Sequence, residues 1–143
     1  MASKILVVDG NEAFATMLRD MLERDGGYDV MVAPSGSDAM VFVEHQEFDL
    51  VIVDMELDPH DMDYGQLVQN ARSERPDLRL MLIPLMGGGL PPETSKWDIQ
   101  GTLSKPFFAD DLLPSIQDAL SKQVTLHAAA RPAISQPQTP ADV

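Results

Sequence analysis

At 143 residues, 44% of them apolar and 23% charged, the chain has enough material for one domain with a sizeable core. It carries 23 acids against 10 bases, and the first 121 residues hold 22 of those acids and 8 of the bases; so acidic a surface repels phosphate backbones and argues against direct nucleic-acid binding by this domain. The lack of cysteine excludes disulfides and thiolate metal sites, and neither a membrane-spanning apolar run nor a signal-peptide core is present, so a cytoplasmic protein without a membrane segment is expected.

Two kinds of segment alternate along the chain. Ile5–Val8 is a continuous apolar run ending at Asp9, as expected of a strand buried on both faces of a parallel sheet. Phe14, Met17, Leu18, Met21 and Leu22 follow the spacing of one helix face, and Gly26–Gly27 stops that helix. Val30–Ala33 reads as the second strand. Ser35 or Ser37 can then cap a helix facing inward through Ala39, Met40 and Val43. Leu50–Val53 is the third strand, closed by Asp54, and Tyr64, Leu67, Val68 and Ala71 make the next helical stripe.

Leu80–Ile83 reads as the fourth strand. Beyond it, Gly87–Gly89 and Pro91–Pro92 leave room for only one or two helical turns, about Glu93 to Asp98. Gly101–Leu103 is the fifth strand, followed by Lys105. Leu112, Leu113, Ile116 and Leu120 form the last stripe, with Pro114 expected in its first turn, where backbone N–H groups have no helical partner. The organisation is therefore a domain over residues 1–121 and a flexible Ala/Pro/Gln-rich tail or linker over 122–143. Five strands alternating with helices predict a doubly wound α/β fold, with ligand chemistry at the carboxyl ends of the strands.

Asp9, Asp54 and Lys105 all fall on that rim. Any one of them could merely end a strand. Together, two carboxylates and a lysine suit a hard cation and a phosphoryl group, with an aspartate as acceptor. "KILVVDGNE", "FDLVIVDME" and "LSKPFFADDLL" resemble the receiver domain of two-component response regulators, and the likeness covers about residues 3–121. The resemblance implies a flavodoxin-like five-stranded parallel sheet of order 2-1-3-4-5 with helices on both faces, the fourth of them short here. It implies that Asp54 accepts a phosphoryl group from a histidine kinase or phosphotransfer protein. It implies that Asp9, Asp54 and the main-chain carbonyl of Glu56 bind Mg²⁺, and that Lys105 pairs with the phosphate. It further implies a cis peptide at Lys105–Pro106, an output domain or protein beyond the tail, and a homodimer through the face around the fifth strand.

The chain departs from the family pattern at several positions. Gly10 replaces the second acid after the first strand, so weak Mg²⁺ binding is expected; Asn11 and Glu12 follow as helix-capping residues. Pro84 stands where the family has a hydroxyl, Thr102 where it has an aromatic, and the loop after Asp54 is about two residues longer. Two readings stay open: an atypical phosphate-accepting receiver, and a receiver-like interaction module that works whatever its phosphorylation state. An Mg²⁺-dependent phosphatase is set aside because no general acid or base accompanies the carboxylates, so no enzyme is expected. "DMELDPHDMDYG" lacks the glycine and glutamate of a calcium loop and reads as a solvated acidic loop. His45, His60 and His127 have no metal-ligand spacing, Gly87–Gly89 is not a phosphate loop, and Trp97 is expected to pack the short fourth helix onto the sheet.

Overall fold

Runs apolar on both faces need cover on both faces, and a parallel sheet between helices supplies it. The computed structural model, which describes residues 2–85 and 88–125, has five strands: β1 (Lys4–Val8), β2 (Asp29–Ala33), β3 (Leu50–Asp54), β4 (Leu80–Ile83) and β5 (Gly101–Thr102). All pair in parallel, in the order β2-β1-β3-β4-β5. The helices are α1 (Glu12–Gly26), α2 (Gly36–His45), α3 (Tyr64–Glu74) and α4 (Ala109–Ser121). Alternate strand residues divide the core. Leu6, Val8, Val51, Val53, Leu80 and Leu82 face α2 and α3. Ile5, Val7, Leu50, Ile52, Met81 and Ile83 face α1 and α4. Each of these side chains contributes on the order of 2 kcal/mol by leaving water.

Several local expectations are corrected. The short helix of the fourth crossover is present as a 3₁₀ helix over Pro92–Trp97, displaced by one residue from the expected span; Pro92 sits at its first position, where a missing N–H costs no helical hydrogen bond. β5 ends at Thr102, although Leu103 N still donates to the Leu82 carbonyl at 3.0 Å. Pro114 is the sixth residue of α4, beyond its first turn. It lies on the exposed face, where the Asp110 carbonyl it leaves without a helical donor can meet water. In α1 the buried positions are Ala15, Leu18 and Leu22, whereas Met17 is 44% exposed.

One buried charge fixes the weak crossover. Arg72 on α3 donates to the carbonyls of Leu78, Trp97 and Asp98 at 2.6, 2.5 and 2.9 Å, and to Gln100 Oε1 at 3.1 Å. Burial pushes its guanidinium below the ordinary arginine value, with the charges of Asp98 and Asp77 opposing. Tail residues Lys122 and Thr125 also pack back. Arg79 Nε donates to the Lys122 carbonyl at 2.7 Å, and the Thr125 hydroxyl donates to Asp98 Oδ2 at 2.9 Å. The rest of the tail, with His127, and Gly87 of the triple glycine lie outside the described residues.

Candidate functional site

Strand register builds the site. Val8 and Val53 are register partners on neighbouring strands, so Asp9 and Asp54 leave the sheet side by side. Asp54 pairs with Ile83 and is 1% exposed. Its Oδ1 accepts the Glu56 backbone N–H at 2.7 Å, and its Oδ2 accepts Lys105 Nζ at 2.8 Å. Lys105 reaches it from the loop after β5, whose peptide bond to Pro106 is cis. Three of the four residues singled out on the rim thus converge through their side chains. The fourth, Glu56, is bound to the site by its backbone N–H.

Asp9 is 4% exposed. Its Oδ1 accepts the Asn11 N–H at 2.9 Å, while its Oδ2 is buried without a hydrogen-bond partner and lies 4.0 Å from Lys105 Nζ. Burial, with the Asp54 charge adding to it, pushes the Asp9 carboxyl up to about 6, against the Asn11 N–H and the Lys105 charge. Burial alone would lower the Lys105 ammonium, but the hydrogen bond to Asp54 and the charges of Asp54, Asp9 and Glu56 outweigh it and hold it above the ordinary lysine range. An orphaned buried carboxylate oxygen beside a second carboxylate fits a hard divalent cation, which would supply the missing partner. Among the described residues no group of three or more acids and histidines gathers as a cage, so such a cation would keep several waters.

Gly10 is exposed, and a Cβ built on it would meet only the Pro34 carbonyl oxygen, at an ordinary 3.5 Å. Neither sterics nor a left-handed backbone requires glycine there. Asn11 caps α1, its side chain accepting the Phe14 N–H at 3.0 Å.

The acidic loop is more ordered than its composition suggests. Asp61 accepts from the Ser37 N–H at 3.0 Å and the Ser37 hydroxyl at 2.5 Å, and these bonds, hydroxyl first, hold its carboxyl below the ordinary value. A Cβ on Gly36 would lie 2.7 Å from Met62 Cβ and the Met62 carbonyl oxygen, so this close approach of loop and helix needs glycine. Asp63 forms a capping box with Gln66 at the start of α3. Trp97 packs against Tyr64 edge to face, with ring centroids 6.0 Å apart. His60 pairs with Asp58, and His45 Nδ1 lies 2.8 Å from the Val41 carbonyl.

One neighbour of the site escaped the sequence reading. The Phe14 ring lies under Lys105, its centroid 4.0 Å from Nζ. Phe14 read only as the first member of the α1 stripe. Its place in the first turn of the helix that follows Asp9 was the available signal.

A sequence-family model described as response regulator receiver domain matches residues 5–117. Over 57 residues, 40% of this chain, it is 44% identical to the alkaline phosphatase synthesis transcriptional regulatory protein PhoP of Bacillus subtilis, and covers 23% of that protein. The chain spans a third or less of the length of the curated relatives it matches. A CheY-like receiver domain from Methanospirillum hungatei superposes with TM-score 0.72 at 26% identity, covering 84% of this chain and 94% of that one. The receiver domain of a Pseudomonas aeruginosa sensor histidine kinase, solved with magnesium in its active-site cleft, superposes with TM-score 0.73 at 21% identity, covering 85% and 100%.

Proposed function

This chain belongs to the response regulator receiver domain family, and on that premise we propose that Asp54 accepts a phosphoryl group in two-component signalling. The observation that carries the reading is a buried carboxylate held at both oxygens, by the Glu56 N–H and the Lys105 ammonium, beside an unpartnered oxygen of Asp9. The donor would be a phosphohistidine on a histidine kinase or phosphotransfer protein. An Asp54 oxygen attacks the phosphorus and forms an acyl phosphate. The P–N bond breaks, and its electron pair, with a proton, stays on the imidazole. Lys105 balances the charge gathering on the phosphoryl oxygens, and the Glu56 N–H keeps the other carboxylate oxygen in place.

Asp9, Asp54 and the main-chain carbonyl of Glu56 would hold Mg²⁺, which when bound neutralises phosphoryl charge. With glycine at position 10 the set is one carboxylate short, so affinity is low. The chain is modified once per molecule and does not turn over as an enzyme. A cytoplasmic location is part of the same reading.

A second reading keeps the fold and drops the switch. Pro84 has no hydroxyl to meet a phosphate and Thr102 no ring to move, which favours partner binding independent of phosphorylation. Incubation with a ³²P-labelled histidine phosphotransfer domain decides between them. Label on the wild type and none on Asp54→Ala supports acceptance. A chain that stays unlabelled with every donor, yet binds the donor protein equally well as Asp54→Ala, supports the second reading.

A further inference from the structure

We propose that Phe14 is a positioning residue for Lys105, an aromatic seat that holds the ammonium over Asp54 before the phosphoryl group arrives. Lysine is a flexible four-carbon stem with a point charge at its tip, so a single ion pair fixes its distance from a partner but not its direction. Here Nζ has three electronegative surfaces around it. Asp54 Oδ2 is at 2.8 Å, Asp9 Oδ2 at 4.0 Å, and the Phe14 ring centroid at 4.0 Å, well inside cation–π range. The Lys105 side chain is only 20% exposed, so the ring competes with little water for the charge.

The seat is itself braced. Phe14 stands in the first turn of α1, and its ring packs edge to face against Phe107, two residues beyond Lys105, with centroids 5.3 Å apart at 60°. One loop therefore carries both the lysine and the ring that packs on its aromatic support. Phe107 fixes Phe14, Phe14 fixes the ammonium, and the ammonium faces the acceptor oxygen. A ring presents no hydrogen-bond acceptor that would hold Nζ back, so Lys105 stays free to pair with incoming phosphoryl oxygens.

The placement claim stands on the geometry alone. Its consequence for phosphoryl transfer rests on the reading of Asp54 as acceptor. Two measurements separate them. The first is the NMR signals of the Lys105 εCH₂ and ammonium in the full chain. They should be shifted upfield by the ring in the wild type and in Phe14→Tyr, and should return to ordinary lysine values in Phe14→Leu. Identical Lys105 signals in folded Phe14→Leu and wild type would overturn the placement, whatever Asp54 does. The second is the rate of Asp54 labelling by acetyl phosphate with Phe14 replaced by mono-, di- and trifluorophenylalanine, which keep the shape but drain the ring face. The rate should fall stepwise, by about fivefold to tenfold at three fluorines. A rate indifferent to fluorine would reduce Phe14 to packing and overturn the positioning role. If the wild type takes no label, the acceptor reading itself fails, and the Lys105 signals still decide the placement.

Discussion

Gly10→Asp restores a carboxylate beside Asp9, and the structure fixes what that should do. The new Cβ meets only the Pro34 carbonyl oxygen at 3.5 Å, and the backbone is not left-handed, so the side chain enters without strain. Two carboxylates already share the rim, and burial with the Asp54 charge has pushed Asp9 up to about 6. A third negative group at about 4 Å interacts with each unit of positive charge by on the order of 4 kcal/mol at an effective dielectric of ~20, most of it offset by desolvation of the cation. A net gain of about 1.4 to 2.8 kcal/mol, or about tenfold to hundredfold tighter Mg²⁺ binding, is the expected outcome. Without Mg²⁺ the variant should be less stable than the wild type at neutral pH, because the added charge repels Asp9 and Asp54. Isothermal titration with MgCl₂ at constant ionic strength gives the affinity, and urea unfolding with and without Mg²⁺ gives the linked stability. An unchanged affinity in a folded variant would refute the reasoning, since position 10 would then not face the cation.

Three further outcomes are expected. Asp9→Asn should alter the pH dependence of stability in the absence of divalent ions: the native Asp9 value of about 6 lies above its unfolded value of 3.8, so the native state keeps the extra proton between them. Wild-type stability should therefore decline as pH rises through that window, by up to about 3 kcal/mol, and the asparagine variant should lack this component, as urea midpoints at both ends would show. Arg72→Met should cost about 3 kcal/mol or more, because the carbonyls of Leu78, Trp97 and Asp98 and the Gln100 side chain lose their common donor; Trp97 fluorescence during urea unfolding reads it, and a loss under 1 kcal/mol would contradict the clamp. Gly36→Ala should cost about 1–3 kcal/mol by driving Met62 and its backbone off α2, and a melting temperature equal to wild type would show that the loop yields freely.

Much of this was legible because the physics was local. β1, β3 and β4 are built on the apolar runs Ile5–Val8, Leu50–Val53 and Leu80–Ile83, all buried, and their four-residue length between turn or polar residues separates them from buried helices. Asp9, Asp54 and Lys105 could be placed on one rim because a parallel sheet puts every strand's carboxyl end on the same side. What sequence missed depends on contacts between elements. Phe14 looked like core, and its role toward Lys105 arises only when α1 and the loop after β5 meet. Arg72 drew no notice in the sequence, since nothing nearby announces acceptors 25 to 28 residues away. Asp61 is exposed, as the run of acids suggested, and Ser35 caps α2, but the bonds from Ser37 to Asp61 could not be read from residues 24 apart. Met17, placed on the buried stripe, is exposed, and Ala15 is buried instead, because apolar periodicity ranks residues by hydrophobicity while close helix–sheet packing favours the small side chain.

Acceptance of a phosphoryl group on Asp54 is the centre of the account, and intact mass after incubation with Mg²⁺ and acetyl phosphate tests it most directly. The wild type should gain one phosphoryl group, and Asp54→Ala should gain none. A wild type that gains no mass at saturating Mg²⁺, or an Asp54→Ala variant that gains as much, would contradict it.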